Sequence, residues 1–314
     1  MELVAVVDSD TARADAVARE FGCRAFGSIE QLTTTHREIQ AASVAVPTVH
    51  HLEAARQLME AGMDLLIEKP VATSLGEVDE LISLSRKLGR IVQVGHLERF
   101  NAAVQAVRPV ITQPMFFEVH RMSVFTARSL DVDVVLDLMI HDLDIVLSFV
   151  NSKVREIRAV GLPILSGKVD IANVRLEFES GCVANFTANR VSTERVRKMR
   201  FFQPRQYISL DYSRQDALVF SVGDEMAGGV PSVNPQIQVT KLEIPAGLQA
   251  APRLPPTREE PLQAELKSFV ECVRQRSQPE VGLEDGRRAL RVALEILAAI
   301  QEHGRKVDIE RLGR

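Results

Sequence analysis

The chain has 314 residues, of which 46% are hydrophobic and 25% are charged, with a net charge of −4. These values predict a soluble globular protein of about two domains and argue against a nucleic-acid-binding protein. The cysteines, Cys23, Cys182 and Cys272, form neither a disulfide framework nor a zinc pattern, which favours a reducing cytoplasm. We expect no signal peptide. The longest apolar run, 132–150, contains four carboxylates and a histidine and therefore predicts a core helix rather than a membrane span.

Strands and helices alternate in the first part of the chain. The predicted strands are 3–7, 44–46, 65–67 and 91–94, and the predicted helices are 11–21, 50–61 and 75–88. The continuous apolar run 3–7 indicates a strand that is buried on both faces. This alternation predicts a parallel, doubly wound α/β sheet, and the ligands of such sheets bind at the carboxyl ends of the strands.

The rest of the chain has a different pattern. Helices are predicted at 98–111 and 132–150, a β-hairpin turns at Ser180 and Gly181, and two closing helices are predicted at 262–274 and 283–303. We place a domain boundary near residue 97, which gives a domain of residues 1–97 and a second domain of residues 98–314.

Asp8 ends the first predicted strand. In a dinucleotide-binding fold, an acid at this place accepts hydrogen bonds from the adenosine ribose and repels a 2′-phosphate, which favours NAD over NADP. The alternative is a turn residue. Such an acid normally follows a G-x-G-x-x-G turn by about 20 residues, but only seven residues precede Asp8.

Two explanations of the missing glycine turn are open. Either roughly 30 further residues, about one βα unit, precede Met1 in the natural protein, or the protein has lost its cofactor site. We favour the first explanation, because loss of a central strand would expose the edges of two neighbouring strands.

Glu68-Lys69-Pro70 follows a buried strand. A lysine beside a reacting hydroxyl can stabilise developing alkoxide charge and position the alcohol. The bond before a proline can be cis, which would aim the lysine side chain. Since the tripeptide also occurs by chance, its position at the end of a strand carries the catalytic interpretation.

Asp137 and His141 are four residues apart and share one face of a helix that is otherwise apolar. Buried charges are paired or functional, and histidine is well matched to proton transfer near neutral pH. We therefore favour an acid–base role over a structural one. A metal site is not expected, because one histidine with scattered aspartates lacks a closed ligand set.

Together these elements resemble the Gfo/Idh/MocA oxidoreductases, in Pro47–His51, Glu68–Pro70, Gly95–Asn101 and Asp137–His141. The resemblance implies an N-terminally truncated Rossmann domain followed by an α/β domain with a large, mostly antiparallel open sheet. That sheet commonly forms the interface of a homo-oligomer, here a dimer or tetramer. In sequence, the chain most resembles a branch of the family that oxidises the 3-hydroxyl of UDP-N-acetylglucosamine. The resulting 3-keto sugar feeds an aminotransferase in lipid A assembly.

The resemblance also implies roles for individual residues. Lys69, Asp137 and His141 would be catalytic: His141, oriented by Asp137, takes the hydroxyl proton while Lys69 hydrogen-bonds the same oxygen. NAD would lie beside Asp8, Pro47, Thr48, His51, Glu68, Lys69 and Gly95. The sugar would lie beside Lys69, Arg99, Asn101, Arg121, Asp137 and His141.

Alternatives to these roles stay open. Thr48 is also a good N-cap for the next helix, and the neighbouring histidines can cap a strand end. Arg99 and Asn101 can instead form a hinge and a helix start, and the basic residues around Arg121 can be a solvated strand face. Two other functions are open. The protein could oxidise another sugar or a cyclitol, or it could be a non-catalytic relic that has lost its cofactor site.

Overall fold

The computed structural model describes residues 2–126, 132–222, 226–227, 230–231, 237–242 and 259–307. Contacts within the chain divide it into two units. The first unit contains Met1–His96 and Glu265–Leu290, and the second contains Leu97–Ala264 and Arg291–Arg314. The chain therefore returns to the first unit late, through a segment that the sequence analysis had assigned to the second domain.

The first unit alternates strands and helices as predicted, with one further strand and helix. Its strands are β1 (Ala5–Val7), β2 (Arg24–Phe26), β3 (Ala41–Val44), β4 (Asp64–Glu68) and β5 (Val92–Gly95). Its helices before residue 97 are α1 (Thr11–Phe21), α2 (Ile29–Thr35), α3 (His51–Glu60) and α4 (Leu75–Leu88).

Capping side chains fix where several of these helices begin. The side chains of Asp10, Ser28 and Ser74 accept hydrogen bonds from backbone N–H groups in the first turns of α1, α2 and α4. Helix α4 ends at Gly89, whose φ of 63° is left-handed and costs a glycine little. These local signals position the strand that follows each helix.

The strands of the first unit form two separate parallel sheets. One contains β1 and β2, and the other has the order β3-β4-β5. In the described part of the chain, no strand hydrogen-bonds to both β1 and β3. The expectation that the first strand is buried on both faces is wrong, because Ala5, Val6 and Val7 are only partly buried. A strand that pairs on one edge has few neighbours to cover it.

The second unit contains one large sheet and several helices. Its strands are β6 (Phe116–Val124), β7 (Val154–Leu162), β8 (Ile171–Phe178), β9 (Val183–Ser192), β10 (Val196–Gln203), β11 (Gln206–Asp211), β12 (Asp216–Val222), a short pair β13 (Met226–Ala227) and β14 (Val230–Pro231), and β15 (Ile237–Lys241). The second unit contains α5 (Ala102–Val107), α6 (Ile140–Phe149) and most of α8 (Leu283–Val307), whereas most of α7 (Pro261–Gln275) belongs to the first unit. The division between the two units falls inside α8 and near the start of α7.

The large sheet has the order β15-β12-β11-β10-β6-β9-β8-β7. Every neighbouring pair is antiparallel except β6 with β9, so the predicted mostly antiparallel sheet is confirmed. The predicted turn at Ser180 and Gly181 joins β8 to β9, and Gly181 has a φ of 86°. Alternate residues such as Phe117, Phe186 and Phe201 are fully or almost fully buried and form the core on one face.

The predicted helix at 132–150 is divided. Its first part, Val135–Met139, is a π-helical turn, and an α-helix continues from Ile140 to Phe149. Every residue of α6 except Ser148 is buried, which confirms the core helix. Among the residues that the structure describes, no helix is long and apolar enough to cross a membrane.

Candidate active site

Lys69 lies at the carboxyl end of β4, in the first unit. The strand before it is rigidly held, because Leu65, Leu66 and Ile67 are almost completely buried. The bond between Lys69 and Pro70 is cis, as the sequence allowed. The lysine itself is partly exposed. The buried strand β4 therefore places the partly exposed, cationic side chain of Lys69 at the edge of the sheet where ligands of parallel sheets bind.

Gly95 makes room for the side chain of Glu68. The two residues are partners in the register of β4 and β5. A Cβ atom added at Gly95 would lie 3.1 Å from Glu68 Oε2 and 3.2 Å from Glu68 Cα. Because backbone atoms cannot move away easily, a larger residue here would displace Glu68, the residue directly before Lys69. This contact explains why a glycine is needed at position 95, independently of the cofactor-binding role predicted for Gly95.

His51 connects two segments at the carboxyl edge of the sheet. It is buried, with Nε2 2.9 Å from the carbonyl oxygen of Val46 and Nδ1 3.3 Å from that of Val71. A neutral imidazole can donate only one of these hydrogen bonds. The arrangement supports strand-end capping, which the sequence analysis kept as an alternative. The predicted cofactor contact of His51 stays a prediction.

The segment after β3 begins its helix differently from the expectation. Thr48–His50 form a 3₁₀ turn that precedes α3, and the residue before that turn, Pro47, makes no side-chain capping hydrogen bond. Helix α3 then starts at His51, and its capping position is occupied by His50, again without a side-chain cap. Thr48 is therefore not the N-cap of α3, and its cofactor role, like that of Pro47, stays a prediction.

Asp8 follows β1 and is already engaged with its neighbours. Its Oδ1 accepts a hydrogen bond from the backbone N–H of Asp10 at 2.9 Å, and its Oδ2 lies 3.3 Å from Arg13 Nη1. The side chain remains 29% exposed, so ribose hydroxyls can still reach it. Arg13 was not predicted as a site residue, and its positive charge beside Asp8 bears directly on the choice between NAD and NADP.

The first unit fits part of a nicotinamide dinucleotide. Asp8 offers a carboxylate to a ribose, and Lys69 stands at a strand end where the reactive ring would lie. The unit offers fewer groups that could bind a diphosphate. The described residues contain no glycine turn beside β1 and β3, and the helix after β1 begins with the carboxylate of Asp10, which opposes a phosphate.

Asp137 and His141 both lie in the second unit. Asp137 is on the π-helical turn, and His141 is the second residue of α6. His141 is 9% exposed and Asp137 is partly exposed. Single π-helical turns often occur at functional sites, where they re-aim side chains. This irregularity, which the i,i+4 spacing could not show, supports the acid–base interpretation.

A tight loop anchors the start of this helical segment. The Val169 N–H donates to Asp133 Oδ1, and the Val134 N–H donates to the Val169 carbonyl, both at 2.9 Å. The next residue, Asp170, has no exposed surface, and its Oδ2 accepts hydrogen bonds from the N–H groups of three successive residues at 2.6–2.8 Å. Burial alone would raise the pKa of Asp170, but bonds from the Ser166 hydroxyl and these backbone groups lower it to about 2.

The other residues predicted to bind substrate are paired inside the second unit. Arg99 makes a bidentate ion pair with Asp144, at 2.5 and 2.9 Å, and both side chains are buried. Arg121 makes a second bidentate pair with Asp142, at 2.6 and 3.0 Å, and also lies 3.1 Å from Glu98. Four of these groups therefore come from the two segments that the sequence analysis selected, Glu98 and Arg99 from one and Asp142 and Asp144 from the other.

This buried network holds the segment after residue 97 against α6. Burial alone would lower the pKa of Arg121, but the carboxylates of Asp142 and Glu98 raise it above its ordinary value. The guanidinium also lies 5.3 Å from the centre of the Tyr212 ring. Such pairs are costly to break, because the remaining charge stays buried. The network favours structural roles for Arg99 and Arg121, whose substrate contacts stay predictions.

Asn101 caps a helix in the same region. Its Oδ1 accepts from the Ala103 N–H at 3.1 Å, at the start of α5. Its Nδ2 donates to Glu98 Oε2 at 3.2 Å and to the Tyr212 carbonyl oxygen at 3.0 Å. These bonds favour the helix start that the sequence analysis kept as an alternative to substrate binding.

A cavity in the first unit lies away from these residues. It has a volume of about 720 Å³, and its lining includes Gln40, Asp64 and Arg90. These residues precede or begin β3, β4 and β5, so the cavity opens at the amino ends of the strands, opposite Lys69. No group of side chains suited to hold a metal ion occurs among the described residues.

Comparison with known proteins agrees with these observations. Residues 1–96 match the oxidoreductase family with an NAD-binding Rossmann fold, and residues 86–206 match the GFO/IDH/MocA C-terminal domain. The chain is 32% identical over 301 residues to UDP-N-acetylglucosamine 3-dehydrogenase of Acidithiobacillus ferrooxidans, covering 96% of this chain and 90% of that protein. It is 28% identical over 201 residues to inositol 2-dehydrogenase of Rubrobacter xylanophilus, covering 60% and 58% of the two chains.

Solved structures show the same fold. That of the Acidithiobacillus ferrooxidans UDP-N-acetylglucosamine 3-dehydrogenase has a TM-score of 0.84 at 30% identity and covers 96% of this chain and 90% of its own. Levoglucosan dehydrogenase in complex with NADH and levoglucosan has a TM-score of 0.81 at 16% identity, with 96% and 88% covered. With the matched domains and a relative 32% identical along almost the whole chain, the protein belongs to the Gfo/Idh/MocA family of oxidoreductases.

Proposed function

We propose that the protein is an NAD-dependent dehydrogenase that oxidises the 3-hydroxyl of a nucleotide sugar such as UDP-N-acetylglucosamine. The likeness to a dehydrogenase of that substrate, at 32% identity over 96% of the chain, carries the proposal. Lys69 at a strand end, and Asp137 and His141 at a π-helical turn, supply the chemical groups that the reaction needs. Relatives named for inositol and glucosides make another sugar or cyclitol the second candidate.

Each of these side chains has a distinct task in the proposed mechanism. His141 accepts the proton of the substrate hydroxyl, and Asp137 holds the imidazole in the tautomer that can do so. The Lys69 ammonium donates a hydrogen bond to the same oxygen and stabilises its developing negative charge. A bound nicotinamide would supply the hydride-accepting chemistry at the substrate carbon.

NAD rather than NADP is proposed on the basis of Asp8. Its carboxylate can accept hydrogen bonds from both ribose hydroxyls and would repel a 2′-phosphate. Arg13 acts in the opposite sense, because its guanidinium can pair with a phosphate if it turns away from Asp8. The proposed preference therefore depends on the ion pair between Asp8 and Arg13.

The experiment that tests the function measures formation of reduced nicotinamide from NAD with purified protein. UDP-N-acetylglucosamine is compared with UDP-glucose and myo-inositol at equal concentrations. Reduction of the product with borodeuteride then locates the oxidised carbon by mass spectrometry. Deuterium at C3 supports the proposal, and turnover confined to inositol would transfer the assignment to the second candidate. No turnover of any of these substrates would favour a non-catalytic relic.

We further propose that the large sheet forms the interface of a homodimer or homotetramer. A row of side chains crosses neighbouring strands on the face opposite the core, namely Phe116, Phe202, Tyr207, Phe220 and Val239. Adjacent rings are stacked, with centroids 5.0–5.8 Å apart, and Phe202 and Val239 are exposed. A Phe202→Glu variant that kept the native oligomer in light scattering would contradict this interface.

The cellular setting is proposed from the same relationships. The cysteines Cys23, Cys182 and Cys272 are free thiols, which agrees with a reducing cytoplasm. A 3-keto nucleotide sugar is a substrate for an aminotransferase, and lipid A assembly is the pathway proposed here. The lipid A of a deletion strain would test this assignment: an altered lipid A that the intact gene restores to normal would support it.

A further inference from the structure

Glu265 is a completely buried carboxyl group in the first unit. It lies on α7, and none of its surface is exposed. Among the described residues, neither of its carboxyl oxygens has a hydrogen-bond partner. A buried carboxylate without a donor is costly, whereas a protonated carboxyl is tolerated far better. The catalytic scheme above makes no use of this residue.

Glu265 and Glu68 lie near each other on one face of the sheet. Gln93 and Gly95 are two residues apart on β5, so they face the same side of the sheet. Gln93 Nε2 donates to the Glu265 carbonyl oxygen at 3.3 Å, and the Glu68 carboxyl lies against Gly95. Glu265 and Glu68 therefore lie over neighbouring positions on one face of β5.

The charges around Glu265 all disfavour its ionised form. Glu68, on β4, is the charged group that acts on it, and the β5 residues on this face, Gln93 and Gly95, are neutral. Burial and, to a smaller extent, the negative charge of Glu68 together raise the pKa of Glu265 to about 8. Gln93 Oε1 also lacks a donor among the described residues, so a protonated Glu265 and this oxygen are complementary.

We propose that Glu265 is a positioning residue, which keeps Glu68 and the adjoining Lys69 in place only while its own carboxyl is protonated. Ionisation would put a second negative charge over the face of β5 that Glu68 already occupies. Glu68 is the register partner of Gly95 and directly precedes Lys69, so its displacement would move the lysine. The effect on turnover rests on the proposed function, whereas the effect on the first unit does not.

The test compares the native protein with Glu265→Gln, which imitates the protonated carboxyl and cannot ionise. Glu271→Gln, an exposed position on the same helix, is the matched control. Hydrogen exchange of peptides from β4 and β5, corrected for the intrinsic pH dependence, is followed at pH 6 and pH 9. We expect equal protection at pH 6. At pH 9 we expect about tenfold or greater loss of protection in the native protein and in Glu271→Gln, but not in Glu265→Gln.

The second measurement is the pH profile of kcat/KM. The native protein should lose about tenfold per pH unit on its alkaline limb, and Glu265→Gln should lose that limb while its value at pH 6 is unchanged. If Glu265→Gln loses protection at both pH values, Glu265 is needed as a charged group and the proposal is overturned. Identical pH profiles would overturn it as well. If no substrate is turned over, the exchange measurement still decides the role of Glu265, and the failure belongs to the proposed function.

Discussion

Replacing Asp170 with asparagine should loosen the loop that anchors the Asp137–His141 segment. In the native protein, the charge of Asp170 is stabilised by the Ser166 hydroxyl and by three backbone N–H groups that point at Oδ2. A pKa lowered from 3.8 to about 2 corresponds to roughly 2.5 kcal/mol of the free energy of unfolding. We expect Asp170→Asn to lose about this amount at pH 7.

The pH dependence gives the sign of this effect. Because the folded-state pKa of Asp170 lies below its ordinary value of 3.8, the stabilisation is complete well above that value. It declines as the pH falls towards about 2. The difference in stability between native and Asp170→Asn proteins should therefore shrink by roughly 1 kcal/mol between pH 7 and pH 3.

The sequence provides a selective probe for this measurement. The chain has no tryptophan and two tyrosines, Tyr207 and Tyr212, which both lie in the second unit. Urea unfolding followed by tyrosine fluorescence therefore reports the unit that contains Asp170. Ser166→Ala removes the hydrogen bond to Asp170 and the one accepted from the Lys168 N–H, and should cost about 1–2 kcal/mol. Asp15→Asn, on the surface of α1, serves as a neutral control. A loss below about 0.5 kcal/mol, or one that is equally large at pH 3, would refute the reasoning.

Three further predictions concern the site. Lys69→Ala and His141→Ala should each lower kcat by about 10²–10⁴-fold with little change in NAD affinity, measured by steady-state kinetics and NADH fluorescence titration; near-native turnover would remove the role of that residue. Asp8→Ser should shift the ratio of kcat/KM towards NADP, and a native enzyme that already prefers NADP would contradict the placement of Asp8 at the ribose. Arg99→Ala should cost about 3–5 kcal/mol in tyrosine-detected unfolding, because it leaves Asp144 buried and unpaired, and adding Asp144→Ala should recover part of that loss.

Local patterns were sufficient to predict much of this structure. Long apolar runs predicted the parallel strands around Lys69, the core helix and the closing helices, and each of these predictions is confirmed. β2 and α2 were missed because their signals are weak. The strand is three residues long and begins with Arg24, and the helix Ile29–Thr35 contains three threonines, which favour helices poorly.

Long-range pairing could not be predicted from spacing. Glu98 and Arg99 were visible as charges in a segment between domains, but nothing local shows that Arg99 pairs with Asp144 rather than with a substrate. Arg13 was overlooked because its partner Asp8 was considered only with its immediate neighbours. The π-helical turn before His141 has no sequence signal that separates it from an ordinary helix. Each of these features depends on how separate segments pack.

The late return of the chain to the first unit imposes an order on its folding during synthesis. The Val94 N–H on β5 donates to the carbonyl oxygen of Val281, and the buried Asp64 pairs with Arg276. Both partners belong to the returning segment. At ribosomal rates of about 5–20 residues per second, this segment emerges roughly 10–40 s after residue 96. Throughout that time β4 and β5 lack part of their cover, so the N-terminal unit is completed only after most of the second unit has been synthesised.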